Sequence, residues 1–299
     1  MRTLLHLVMP LVCVLALPAL AADQDDELAK TEIKTTPLGA NLYLLQGEGG
    51  NVVALTGADG IALIDDEYAP LAPKIEAALG KVGKLPVKFL INTHWHGDHT
   101  GGNAIFGQHA TIFAHENVRK RLLAGATRPD GRVIPPAQPA ALPVVTFEEG
   151  LTLFFDDEEV KVIHLRPGHT DGDSAILFKK ANVVHLGDDF VTYGFPFIDL
   201  NSGGSVRGMI AALDTLVPQL PKDAKIVPGH GPVSTIDDVK KFARTLEEIA
   251  DTIDKAKKAG KTAEQMKKEK LLEPWTPAWG HGFFKADAFI DLVLKDSKS

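Results

Sequence analysis

A four-layer αββα sandwich, two sheets face to face with helices on their outer faces, is the α/β fold class this sequence predicts. Three observations lead there: short apolar runs bounded by glycine turns, helical segments between them, and a loose repetition of that pattern in both halves of the chain. The 299 residues are 44% hydrophobic and 24% charged, with a net charge of −7, so they can bury a substantial core. That apolar content excludes fibrous and disordered classes, and a single cysteine excludes a disulfide scaffold. A pI near 5.9 argues against a nucleic-acid partner, whose phosphates need a basic face. A small-molecule substrate is the expected partner.

In chain order, residues 1–21 read as a secretory signal peptide. Arg2 supplies the positive start, Leu4 to Leu17 form the apolar run, Pro18 breaks it, and Ala19-Leu20-Ala21 offers the small-x-small site. Cleavage after Ala21, or one residue later, leaves residues 22–299 as a single cysteine-free domain. It is expected in the periplasm or secreted, without a membrane attachment. Residues 23–30 are polar and expected to be loose. Runs 42–46, 51–56 and 61–65, separated by Gly47-Glu48-Gly49-Gly50 and Gly57-Ala58-Asp59-Gly60, predict hairpin-linked strands. Leu71, Ile75, Ala78 and Leu79 share one face of a helix over 70–80 that stops at Gly80. A buried strand at 87–92, a strand at 111–114 and a helix at 115–123 follow. Five prolines make 125–143 a loop, a candidate lid. Strands return at 144–147, 151–155, 160–165, 174–178 and 183–186, then a helix at 205–216 and a strand at 224–227. Charged helices over 235–270 and an amphipathic piece at 283–294 make up the C-terminal region, 235–299.

One segment concentrates chemistry: Thr93-His94-Trp95-His96-Gly97-Asp98-His99-Thr100-Gly101-Gly102. It follows a predicted strand and carries three glycines, so an extended loop is expected, in which His94, His96 and Asp98 share a face. Gly97 allows a sharp turn that aims Asp98 and His99 at a different point. Four metal-competent side chains within six residues are hard to explain as an incidental surface loop. Three further candidates sit just past strands and beside glycines: His169 in Pro167-Gly168-His169-Thr170, Asp188 in Gly187-Asp188-Asp189, and His230 in Pro228-Gly229-His230-Gly231. If those strand ends line one edge of the sandwich, seven ligands converge. His109, His115, His164, His185 and His281 lack such spacing and are expected to be structural or superficial, with His164 a candidate core histidine.

The string T-H-x-H-x-D-H-x-G-G, followed by G-H-T, G-D and G-H-G, resembles the metallo-β-lactamase superfamily of metal-dependent hydrolases over roughly residues 40 to 235. The resemblance implies that His94, His96 and His169 bind one zinc ion. It implies that Asp98, His99 and His230 bind a second, with Asp188 bridging and Asp65 steadying a ligand imidazole. Iron or manganese suits the same atoms. Two such ions would activate a bridging hydroxide against a carbonyl, oriented by Asp98, with no serine or cysteine nucleophile.

Loops set the substrate. Tyr193-Gly194-Phe195-Pro196-Phe197 and the 125–143 segment are candidates for the mouth, while Trp275 and Trp279 are expected to pin the C-terminal helices. One β-lactamase subgroup places a cysteine where Asp188 stands and a lysine shortly after it. Here no lysine or arginine occurs between Asp188 and Arg207, a pattern closer to glyoxalase-type and lactonase-type members. The leading expectation is an exported di-zinc hydrolase of a cyclic amide or ester, β-lactams included. Thioester and lactone hydrolysis are the alternatives within that class. An iron-dependent sulfur dioxygenase and a non-catalytic metal-binding accessory protein are the alternatives outside it.

Overall fold

The computed structural model describes residues 28–127 and 131–296. The expected signal peptide, residues 1–21, lies outside the described residues. The first sheet starts with β1 (Lys34–Gly39), β2 (Leu42–Gln46), β3 (Val52–Gly57), β4 (Gly60–Ile64), β5 (Val87–Ile91) and β6 (Thr111–His115). A small hairpin of β7 (Ala126–Thr127) and β8 (Val133–Ile134) intervenes before β9 (Val145–Phe147) completes the sheet. Its first four strands are antiparallel, and β4, β5, β6 and β9 run parallel. The second sheet is β10 (Gly150–Phe155), β11 (Glu158–His164), β12 (Ser174–Phe178), β13 (Val183–His185), β14 (Lys225–Val227) and β15 (Ser234–Thr235). It is antiparallel except where β13 and β14 run parallel.

Both faces of the central strands are covered, which is why they read as unbroken apolar runs. In β4, Ile61 and Leu63 meet Ile75 and Leu79 of helix α1 (Ala72–Leu79), while Ala62 and Ile64 turn to the other sheet. In the second sheet, Val183 and Val227 face the inter-sheet core, and Val184 and Ile226 face the opposite helical layer. After α2 (Glu116–Ala124), that layer consists of α3 (Val206–Leu216), α4 (Ile236–Lys258) and α5 (Ala286–Asp296). Helix α4 starts on a capping box between Thr235 and Asp238 and buries Val239, Phe242, Leu246, Ile249 and Ile253 at helical spacing. Each such side chain removed from water contributes about 1.5–3 kcal/mol. The four layers are therefore helix, sheet, sheet, helix, as the sequence predicts.

Three local readings are corrected, and one strand is added. Leu28 is buried in the helix-side core and the Lys74 ammonium donates to the carbonyls of Leu28, Ala29 and Thr31, so this end of 23–30 is docked. Strand β1 escapes sequence reading because it has little apolar periodicity and carries Pro37, which only an edge strand tolerates. Helix 235–270 is broken at Gly260, whose φ of +82° stops α4 before a second capping box, Thr262 with Gln265, restarts a short helix. The proline-rich 125–143 segment contains the β7–β8 hairpin and a turn of 3-10 helix at Pro139–Ala141.

Candidate metal centre

All seven candidate ligands stand just beyond strand ends at one edge of the sandwich. Asp65 follows β4, the 94–99 segment follows β5, His169 lies between β11 and β12, and Asp188 and His230 follow β13 and β14. His94, His96 and His169 form one group whose donor atoms lie within 4.8 Å of one another, with His96 Nδ1 and His169 Nε2 2.7 Å apart. Asp98, His99 and His230 form another: His230 Nε2 is 3.3 Å from His99 Nε2 and 3.2 Å from Asp98 Oδ2. Asp188 stands between them. Its Oδ2 is 3.6 Å from His169 Nε2, and its Oδ1 is 3.2 Å from His99 Nε2 and 3.5 Å from His230 Nε2. This close approach depends on a glycine opposite, because a Cβ at Gly229 would lie 1.9 Å from Asp188 Oδ1.

The expected common face of His94, His96 and Asp98 does not form. Residues Gly97–Thr100 make one helical turn, so Asp98 leaves the His94–His96 pair and joins His99 and His230. Gly97 has no positive φ, and a Cβ there would meet nothing within 4 Å. The helical turn itself, rather than glycine's freedom, redirects the chain.

In His94, His96, His99 and His169 the ring nitrogen that faces away from the cluster has a partner, which assigns the tautomer. His99 Nδ1 donates to Asp65 Oδ2 at 2.8 Å. Thr93 Oγ1 donates to the same oxygen at 2.7 Å and accepts from His94 Nδ1 at 3.1 Å. His96 Nε2 donates to Asp199 Oδ2 at 3.0 Å, and His169 Nδ1 donates to the Phe197 carbonyl at 2.7 Å. In these tautomers the inward nitrogens of His96 and His169 both present lone pairs, and at 2.7 Å two lone pairs repel unless a cation lies between them. His94 Nε2 and Asp188 Oδ1 are buried without a hydrogen-bond partner, an arrangement that costs free energy unless something else satisfies them. Imidazole and carboxylate donors in two groups fit a pair of divalent cations such as zinc.

Electrostatics divide the two groups. Burial, aided by the neighbouring imidazoles His99 and His169, pushes His94 well below the usual histidine range. Burial brings His169 down to about 4 despite the attraction of Asp188. Both therefore offer lone pairs at neutral pH. For His99, burial also favours the neutral form, but Asp188, Asp98 and Asp65 overturn it and raise the ring well above its ordinary value. His230 is raised in the same sense by Asp188 and Asp98 against its burial. The carboxylates of Asp98 and Asp188 thus favour positive charge at His99 and His230. Cations can supply that charge.

Three of the remaining histidines, and His115 beneath His164, have partners within the fold. His185 is buried, donating from Nε2 to the Asn51 carbonyl and accepting the Gly187 amide. His164 stacks on His115 with ring centroids 3.8 Å apart. His281 bonds the Pro277 carbonyl. Trp279 stacks on Phe242 and packs on Phe195, pinning the C-terminal region as expected. The Tyr193–Phe197 segment does reach the cluster: Phe197 lies against His96 and His169, and Tyr193 against His230. Sequence reading missed Thr93, Asp199 and the Phe197 carbonyl. Asp199 carries a helix-cap signature, with its side chain accepting from the Asn201 and Ser202 amides, and nothing in its spacing points to His96. Asn51 was also missed; its amide donates to the Pro228 and Gly231 carbonyls and clamps the His230 turn.

The sequence profile of the metallo-beta-lactamase superfamily matches residues 35–230, and the chain belongs to that superfamily. It is 30% identical over 160 residues to the hydroxyacylglutathione hydrolase GloC of Haemophilus influenzae, covering 52% of this chain and 74% of that protein. It is 28% identical to a hydroxyacylglutathione hydrolase of a Synechococcus species, over 58% of this chain and 60% of that one. A metallo-beta-lactamase from Pontibacter korlensis shares the fold, with a TM-score of 0.59 and 18% identity over 72% of this chain and 99% of that one. The BLEG-1 B3 metallo-beta-lactamase does so with a TM-score of 0.56 and 23% identity over the same shares.

Proposed function

We propose that this protein is an exported hydrolase that binds two zinc ions and cleaves a small-molecule thioester or cyclic ester. The observation that carries this reading is Asp188, which turns one carboxylate oxygen to each of two donor groups. His94, His96 and His169 would hold one ion, and Asp98, His99 and His230 the other. Such a pair supplies carbonyl polarisation and a water acidic enough to deprotonate near neutral pH. The chain's own residues supply geometry. Asp65, Thr93, Asp199 and the Phe197 carbonyl fix the ring orientations, and Asp98, a quarter exposed, is the ligand carboxylate open to a water at the mouth. The hydroxyacylglutathione hydrolases among its relatives support a thioester. The signal-type segment at 1–21 and the acidic surface charge support an exported enzyme for small molecules rather than nucleic acid. A β-lactam stays among the tested substrates, supported by export alone, since 189–206 holds no cation for its carboxylate.

Metal analysis of the purified chain should give about two zinc equivalents. A panel of thioesters, lactones and β-lactams should show turnover that chelation abolishes and zinc restores. Asp188→Ala should keep the fold while losing one equivalent and at least about a hundredfold in kcat. Full activity in metal-free protein, or in D188A, would refute the proposal.

A further inference from the structure

Phe283 is 71% exposed, yet it is no isolated surface residue. Its ring packs on Tyr193 at 5.4 Å and on Phe197 at 6.4 Å between centroids. Those two rings lie against different halves of the metal centre: Tyr193 is 5.8 Å from His230, and Phe197 is 6.0 Å from both His96 and His169. Two distant segments thus build one aromatic wall across the mouth. The C-terminal one is fixed by Trp279, whose carbonyl accepts the Phe195 amide and whose ring stacks on Phe242.

Exposing so large an apolar ring beside a polar cluster is unfavourable unless something covers it. Charge narrows what that can be. Neither 189–206 nor 271–284 contains a lysine or arginine, and Lys285, the next cation along, donates to the Gly280 carbonyl at 3.0 Å. An anionic acyl group would find no fixed counter-charge on this wall. An uncharged ring would gain aromatic contacts as well as apolar burial.

Building on the hydrolase reading, we infer that the acyl group of the substrate carries an uncharged aryl ring, seated on Phe283 between Tyr193 and Phe197. Phe283 is then a specificity residue; the bond is broken at the ligand cluster and the ring is held beside it.

The test uses the zinc-loaded full chain and three N-acetylcysteamine thioesters: phenylacetyl, acetyl and succinyl. The phenylacetyl ester should exceed the acetyl ester in kcat/KM by about tenfold or more, and the succinyl ester should be the poorest. Phe283→Ala should lower the phenylacetyl-to-acetyl ratio about five- to tenfold, mostly through KM, and Phe283→Trp should restore it. Saturation-transfer NMR with N-ethyl-2-phenylacetamide, an amide that carries the same phenylacetyl group, reads the ring site separately. Its signal should weaken in F283A and persist in F283W. Binding of this amide without turnover of any ester would keep the aryl site and remove the hydrolase reading. Turnover with an unchanged ratio in F283A, preference for the succinyl ester, or a dimer in sedimentation that F283A dissolves would overturn the aryl site.

Discussion

Asp199 and Thr93 illustrate how much of the candidate centre rests on residues that donate nothing to a metal themselves. Asp199 turns the His96 ring so that Nδ1, not Nε2, faces His169. Thr93 relays Asp65 to His94 and leaves His94 Nε2 pointing into the cluster. Removing such a partner frees the ring to rotate, which typically weakens metal binding about 10–100-fold. Asp199→Ala should therefore lower zinc affinity by about that factor in chelator competition, with the first equivalent lost and the circular dichroism spectrum retained. Unchanged affinity would mean that His96 is held by packing alone.

At the scale of elements, the second sheet supplies Asp188 and His230, and Asn51, on the first sheet's side, ties the His230 turn across the sandwich. Asn51→Ala leaves the Pro228 and Gly231 carbonyls without that donor. It should cost about 1–3 kcal/mol in urea unfolding, with the second zinc equivalent bound more weakly. Helix α4 carries a different load. Leu246 is fully buried in its apolar stripe, so Leu246→Ala should cost about 2–5 kcal/mol and leave metal stoichiometry unchanged. The elements themselves were largely legible, because hydrophobic runs, glycine turns and capping residues are local signals. Strand β1 was not, since its partner β2 rather than its own side chains makes it a strand. The one-turn helix at Gly97–Thr100 was not either, because a four-residue helix has no periodicity to read.

The whole molecule closes its two sheets over titratable groups, so its stability should depend on both metal and pH. Ligand atoms buried without partners, such as His94 Nε2, favour any cation that satisfies them. Chelation should lower the melting temperature, and zinc at a thousand times its Kd should restore about 4 kcal/mol per site. His115, whose ring stacks on His164 and neighbours Glu116 and Asp171, gives the pH term. Burial first, and the His164 charge second, lower it from the ordinary 6.5 to about 4. The folded chain then refuses a proton that the unfolded chain accepts. This contribution is complete above about pH 6.5 and is lost as pH falls toward 4. The urea midpoint of the wild type should consequently drop more between pH 7 and pH 5 than that of His115→Gln. Equal slopes would show that His115 titrates normally.

The chain by itself determined which residues are the candidate ligands. Histidines and aspartates placed beside glycines just past buried strands mark a ligand set, and that pattern survives in one dimension because strands end where side chains become free. Only the tertiary structure decided how the set divides. The helical turn at 97–100 sends Asp98 to His99 and His230, Asp188 faces both groups, and Asp199 and Phe283 arrive from segments whose local signals do not point to the cluster. Distances between such residues are fixed by how two sheets pack, and packing is a property of every strand at once.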